Sequence, residues 1–306
     1  MARLHDTFLR GCYTPLITPF RNGKVDFHKF VGLVEQQVSS GSHGIVVAGT
    51  TGEPSSLTVD ERGNLYRVAV EAAAGRIPVV AATGSQSLAE TLELTARAEQ
   101  AGADALLVVT PYYIRPPQQG LVEYFVAIGR QTSLPMLLYH IPGRAAVSLA
   151  PGTVEAIRAR LPSLAGIKHA ANDLDFVSDL RVRLGTEFRI FCGLESLSLP
   201  MLAVGATGLM NAVGNLVPVR VAALYNEVER GNVAGARQLH DELFELNRAI
   251  FLETNPIPLK YMMARIGLLE TPEVRLPLIG LAAEQACELD EVLRRAGLLQ
   301  KAAAGN

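Results

Sequence analysis

The feature that most narrows the fold is an alternation. Between Gly11 and Asn215, eight short apolar runs are separated by longer stretches of helical spacing, with Gly, Pro, Ser and Thr at the joints. The runs fall near Gly11–Ile17, Gly44–Ala48, Pro78–Ala82, Ala105–Val109, Met136–His140, Gly166–His169, Phe188–Cys192 and Gly208–Met210. Between them lie the amphipathic segments Asp26–Ser40, Val59–Ala74, Leu88–Ala101, Gly120–Gln131, Pro151–Arg160 and Leu174–Leu184, each long enough for a right-handed crossover. Eight such units predict an α/β fold closed into a (β/α)8 TIM barrel rather than an open doubly wound sheet. No G-x-G-x-x-G follows the first run, which argues against a dinucleotide site. Beyond the last run the periodicity is wholly helical, through Val219–Arg230, Val233–Leu252, Pro258–Gly267 and Leu281–Ala296. We expect a barrel over residues 1–230 that carries the chemistry, then a C-terminal helical domain over residues 231–306. The plainest role for that appendage is to cover barrel surface or build a subunit contact. Its end, Lys301–Asn306, is low in complexity and is expected to fray.

With 306 residues, 49% of them hydrophobic, the chain has enough apolar material for a large core. The formal net charge of −2 leaves no basic field to attract nucleic acid or an anionic membrane, so a small-molecule partner is the default. Cys12, Cys192 and Cys287 lie far apart with no CxxC pair or His/Cys cluster, which argues against structural zinc and against a disulfide framework. The first residues lack a signal-peptide pattern and no apolar run reaches the roughly 18 residues of a membrane span. A cytoplasmic protein is expected. Of the 28 basic residues only five are lysines, so their placement is informative. Lys24, Lys29 and Lys301 sit in polar or terminal surroundings and read as solvated charge. Lys168 sits elsewhere.

In a TIM barrel the reactive groups stand at the C-terminal ends of strands, and four segments place polar residues there. Gly49-Thr50-Thr51-Gly52-Glu53 offers hydroxyls and N–H groups in a glycine-flanked turn able to approach a small anion; it also reads as a helix cap, with Glu53 in support. Thr110-Pro111-Tyr112-Tyr113 sets two phenols after a fixed turn, where core or interface aromatics are the plain alternative. In Tyr139-His140-Ile141-Pro142-Gly143-Arg144, Tyr139 ends a strand and Arg144 suits bidentate capture of a carboxylate. In Ala165-Gly166-Ile167-Lys168-His169 a lysine ends an apolar strand. Burying an unpaired ammonium is costly, so such a lysine is either salt-bridged or held as the neutral amine that attacks a carbonyl. If the fifth and sixth strands are neighbours, Tyr139 and Lys168 project within proton-transfer reach. His140 and His169 point the other way by strand alternation and read as packing residues. No metal-ligand spacing is present, and an iminium would make a metal redundant.

These four segments, in this order, resemble the dihydrodipicolinate synthase / N-acetylneuraminate lyase family of class I aldolases, nearest its synthase branch, and the likeness spans nearly the whole chain. Asn255-Pro256-Ile257-Pro258-Leu259-Lys260 matches the same branch. The resemblance implies a TIM barrel with a C-terminal helical domain, a homotetramer built as a dimer of dimers, and no cofactor. It implies that Lys168 forms a Schiff base with pyruvate, and that Tyr139 relays protons at the substrate carbonyl. Thr50 and Tyr113 complete the relay, with Tyr113 donated by the neighbouring subunit. Thr51 holds the pyruvate carboxylate, Arg144 the carboxylate of aspartate semialdehyde, and Gly193 and Met210 belong to the substrate-binding set.

The chain departs from the synthase pattern in three places. Lys168-His169-Ala170-Ala171-Asn172 replaces Lys-Glu-Ala-Thr-Gly, Gly193-Leu194-Glu195 replaces Gly-Asp-Asp or Gly-Glu-Asp, and Asn211 stands where a serine is usual. All three are expected around the pocket for the second substrate. They leave open a sibling aldolase or lyase acting on a 2-oxo-3-deoxy sugar acid, 4-hydroxy-2-oxoglutarate or an N-acetylneuraminate type of adduct. A silent 2-oxo-acid binding protein is a third reading, opposed by retention of Lys168, Tyr139, Thr50 and Tyr113. In the region resembling the lysine feedback site, Glu90 and Tyr112 match while Pro54, Val59 and Gln86 do not, so weak or absent lysine inhibition is expected.

Overall fold

The computed structural model describes residues 6–299. The expectations for the first five residues and for Lys301–Asn306 lie outside the described residues. Eight parallel strands close into one barrel: β1 (Gly11–Pro15), β2 (Gly44–Val47), β3 (Val79–Ala82), β4 (Ala105–Val109), β5 (Met136–His140), β6 (Leu164–His169), β7 (Arg189–Cys192) and β8 (Gly208–Leu209). They follow one another around the barrel, and β8 and β2 both pair with β1. The (β/α)8 expectation and all eight runs are borne out, with ends displaced by a residue or two. The helices are α1 (Phe27–Ser39), α2 (Val59–Ala73), α3 (Leu88–Gln100), α4 (Gln118–Gly129), α5 (Pro151–Arg160), α6 (Leu174–Leu184), α7 (Ser198–Ala203) and α8 (Pro218–Glu229) around the barrel. A C-terminal set follows: α9 (Val233–Ala249), α10 (Ile257–Arg265) and α11 (Ala283–Arg295). The short α7 and a hairpin of Phe20–Arg21 with Lys24–Val25 escaped the apolar pattern, being too short to show a period.

Each strand is buried on both faces, and the two faces serve different cores. Ile45, Val47, Leu106, Val108, Leu138, Ile167 and Ile190 pack outward beneath the helices. Tyr13, Val46, Val80, Leu107, Leu137, Phe191 and Met210 fill the barrel interior with Tyr139. Helix starts are set locally: Asp26 accepts from the Lys29 N–H at 2.9 Å, Asp173 from the Phe176 N–H at 3.0 Å, and Thr58 with Glu61 forms a reciprocal capping box on α2.

One irregularity positions the site. Met136 faces Leu164, but the next residue, Leu137, faces Gly166, so Ala165 is an extra residue in β6. Above that bulge Tyr139 lies opposite Lys168, and His140 opposite His169.

The division expected after residue 230 falls in the turn between α8 and α9. Helix α9 packs along α8, and α11 lies against α9 and α10. This C-terminal set does more than cover barrel surface, because the start of α10 reaches the C-terminal mouth of the barrel. All three cysteines are free. Among the described residues no helix is long and apolar enough to cross a membrane.

Candidate active site

Adjacent strand ends bring the first two candidates together. Lys168 Nζ lies 4.4 Å from the centroid of the Tyr139 ring, and each residue is only 5% exposed. The Tyr139 hydroxyl in turn stands 3.3 Å from Thr50 Oγ1, and either oxygen can donate. Among the described residues no carboxylate forms a salt bridge with Lys168, so the structural ion pair left open by the sequence has no partner there. Beside Tyr139 and Thr50 opens a cleft of about 560 Å³, a size that suits small-molecule ligands, with Thr50, Tyr139, Arg144 and Asn255 on its wall and Lys168 behind the Tyr139 ring.

The threonine turn is not a helix cap. Thr50–Gly52 forms a single 3₁₀ turn without any side-chain capping bond, while α2 is capped by Thr58 and Glu61. Asn255 Nδ2 donates to Thr51 Oγ1 at 3.0 Å, which leaves the Thr51 hydroxyl proton for another acceptor. Thr18 Oγ1 donates to the Gly52 carbonyl at 2.7 Å. Glu53, at a left-handed φ of 56°, turns its buried carboxylate away from α2 and onto Lys260. Burial pushes the Glu53 carboxyl up against the opposing pull of the Lys260 ammonium, and burial pushes Lys260 down to about 8.

Gly193 leaves room for the lysine side chain. A Cβ on it would stand 2.6 Å from Lys168 Cε. Met210 is 1% exposed and packs inside the barrel with Phe191, and its side chain does not line the cleft. Of the residues at the three departures from the synthase pattern, Glu195, Asn211 and His169 bond to neighbours outside the cleft lining, while the buried Glu195 carboxylate still feels the Lys168 ammonium. Glu195 Oε1 accepts from the Ala212 N–H at 2.6 Å, and burial pushes its carboxyl up. Asn211 Nδ2 donates to Ser198 Oγ at 2.6 Å. His169 lies on the outer strand face, stacked on Phe176 of α6 at 4.5 Å. Its Nε2 lies 3.1 Å from the Asp173 carbonyl, an acceptor, so that nitrogen carries the proton. His169 Nδ1 then accepts from His140 Nδ1 at 3.1 Å. Both histidines are packing residues as expected, and burial pushes both below their ordinary range, His140 to about 4.

Tyr113 is not brought to the cleft of its own chain. It is 83% exposed at a left-handed φ of 72°, whereas Tyr112 lines the cleft. Arg144 sits on the one-turn helix Pro142–Ala145 at the cleft wall, its Nη2 3.5 Å from the Asn255 carbonyl. Sequence reasoning missed Asn255 and Lys260 as neighbours of the threonine turn. Lys260 carried the same signal as Lys168, a rare lysine in an apolar stretch. It also missed Arg62, a buried guanidinium that donates to the Ala82 carbonyl at 2.8 Å and lies 3.7 Å from Glu90. Among the described residues no cluster of three or more His, Cys, Asp or Glu is arranged to hold a metal ion.

Comparison with known proteins places the chain in a family and a fold. The model of the dihydrodipicolinate synthetase family matches residues 8–296. The 4-hydroxy-tetrahydrodipicolinate synthase of Thermus thermophilus is 46% identical over 293 residues, covering 95% of this chain and 98% of that protein. The solved 4-hydroxy-tetrahydrodipicolinate synthase of Methylacidiphilum fumariolicum superposes with a TM-score of 0.92 at 42% identity, covering 94% of this chain and 96% of that one. A dihydrodipicolinate synthase of Acinetobacter baumannii, solved in complex with pyruvate, gives a TM-score of 0.92 at 33% identity, over 95% and 100% of the two chains. On this likeness in sequence and fold, the chain belongs to the dihydrodipicolinate synthetase family.

Proposed function

We propose that this chain is a 4-hydroxy-tetrahydrodipicolinate synthase that condenses pyruvate with aspartate 4-semialdehyde through a Schiff base on Lys168. The observation that carries the reading is the chain of contacts from Lys168 to Tyr139, on adjoining strand ends, and from Tyr139 to Thr50 across the barrel mouth, the last two lining the cleft. Lys168 Nζ attacks the pyruvate carbonyl carbon, and Tyr139, relayed by Thr50, protonates the carbinolamine oxygen so that water leaves. The resulting iminium draws electron density from the methyl carbon, which loses a proton to the Tyr139 phenolate to give the enamine. That carbon then bonds to the aldehyde carbon of the semialdehyde, whose oxygen takes the proton back from Tyr139 to become the hydroxyl, and the semialdehyde's own amine displaces Lys168 as the ring closes. Thr51 holds the pyruvate carboxylate and Arg144 the second carboxylate.

The synthase reading is favoured over a sibling aldolase by Arg144 on the cleft wall, a guanidinium suited to the carboxylate of the semialdehyde. The exposed Tyr113, followed by Ile114 at 57% exposure, fits a surface that completes a neighbouring subunit's site in a homotetramer. We place the enzyme in the cytoplasm, in lysine and diaminopimelate biosynthesis. The test is incubation with pyruvate, borohydride reduction and mass spectrometry. The adduct is expected on Lys168; no adduct, or an adduct on another lysine, overturns the reading. Turnover of a panel of aldehydes then separates the synthase from its siblings.

A further inference from the structure

Building on the Schiff-base reading, we propose that Glu53 and Lys260 are positioning residues whose buried ion pair holds the Thr50-Thr51 turn from behind, so that α10 governs how tightly the 2-oxo acid carboxylate is bound. Lys260 is fully buried, and the Glu53 side chain is 1% exposed. The ammonium also donates to the Glu273 carbonyl at 2.8 Å and stands 4.1 Å from the Phe20 ring centroid. The second Glu53 oxygen accepts from the Arg275 N–H at 3.4 Å. Arg275 is itself held by Glu61 at 2.7 and 2.8 Å and by the Ser56 carbonyl at 2.8 Å.

Stability alone does not account for such a pair. Desolvating two charges consumes most of their attraction, and an apolar pair of similar volume serves a core at least as well. What an ion pair adds is direction. Glu53 immediately follows the 3₁₀ turn and holds a left-handed backbone that a non-glycine residue adopts only when its surroundings fix it. The carboxylate on Lys260 supplies that constraint from one side and Arg275 from the other. The same segment of chain grips the turn a second time, because Asn255, at the start of α10, donates to Thr51 Oγ1. Glu53 itself approaches neither Lys168 nor Tyr139 within bonding distance, so its influence on them runs through the turn.

The test is the double variant Glu53→Gln/Lys260→Met, which leaves no unpaired buried charge. Its KM for pyruvate is expected to rise roughly tenfold while kcat stays within about threefold, the split that marks lost binding rather than lost chemistry. Borohydride still traps its Lys168 adduct at saturating pyruvate. Glu53→Asp keeps the charge but shortens its reach by one methylene, and its KM for pyruvate is expected to rise several-fold with the same split. A folded double variant, or Glu53→Asp, with wild-type KM overturns the inference. So does a fall in kcat and Tm together without a change in KM, which marks a purely structural pair. Failure of wild-type protein to form any adduct refutes the Schiff-base reading instead, and the two outcomes are separable.

Discussion

Gly193→Ala adds one methyl group against the side chain of the proposed nucleophile. The new carbon would stand 2.6 Å from Lys168 Cε, 3.0 Å from Ala170 Cβ and 3.1 Å from Lys168 Cγ. Relief to ordinary contact requires Lys168 Cε to retreat by roughly 0.8 Å, because the strand behind it is pinned by the barrel. A displacement of about 1 Å at a reacting group costs on the order of 100-fold in rate. The yielding group is a flexible side chain, so the stability loss should stay near the low end of the roughly 1–3 kcal/mol typical of overpacking. The assay is the rate of borohydride-trapped adduct formation at saturating pyruvate, with a urea unfolding curve beside it. A Gly193→Ala protein that forms adduct within about threefold of the wild-type rate refutes the argument that this glycine makes room for Lys168.

Arg144→Ala should raise KM for the semialdehyde at least tenfold while leaving adduct formation with pyruvate within about twofold, and equal damage to both steps would remove Arg144 from its assigned role. The histidine pair predicts acid sensitivity. His140 is held neutral, with its folded value lowered from the ordinary 6.5 to about 4, so its contribution is complete above pH 6.5 and is lost as pH falls toward 4. On the order of 3 kcal/mol should disappear across that window, and unfolding free energies that do not decline between pH 7 and 4 would contradict it. Lysine should inhibit weakly or not at all, because Arg62 already sets a cation 3.7 Å from Glu90; half-inhibition at low lysine concentration would refute this.

The barrel was legible because strand burial on both faces leaves unbroken apolar runs whatever the partners. The proximity of Lys168 to Tyr139, and of Tyr139 to Thr50, was legible because the architecture gathers the strand ends at one mouth. Glu53 was read as support for a helix cap, since local sequence shows a carboxylate near a helix start but not the lysine from a distant helix that claims it. The partners of Glu195 and Asn211 were equally hidden, because their hydrogen bonds to Ala212 N–H and Ser198 Oγ are made by the folded turn. Tyr113 lies beyond what one chain decides: its exposure and backbone are fixed here, whereas its proposed role needs a second copy.

The bulge at Ala165 makes β6 a question of parity. Leu164 packs outward among the helices and Lys168 reaches inward, although both are even-numbered; odd and even exchange faces at the extra residue. Alternation carried unbroken from Leu164 would turn Lys168 out beneath α6 and His169 into the barrel. The side the amine faces is therefore decided at Ala165-Gly166, where a Cβ on Gly166 would collide with the Arg189 carbonyl. Two of the smallest residues in the barrel, neither of which lines the cleft, decide whether the Lys168 amine faces the barrel interior at all.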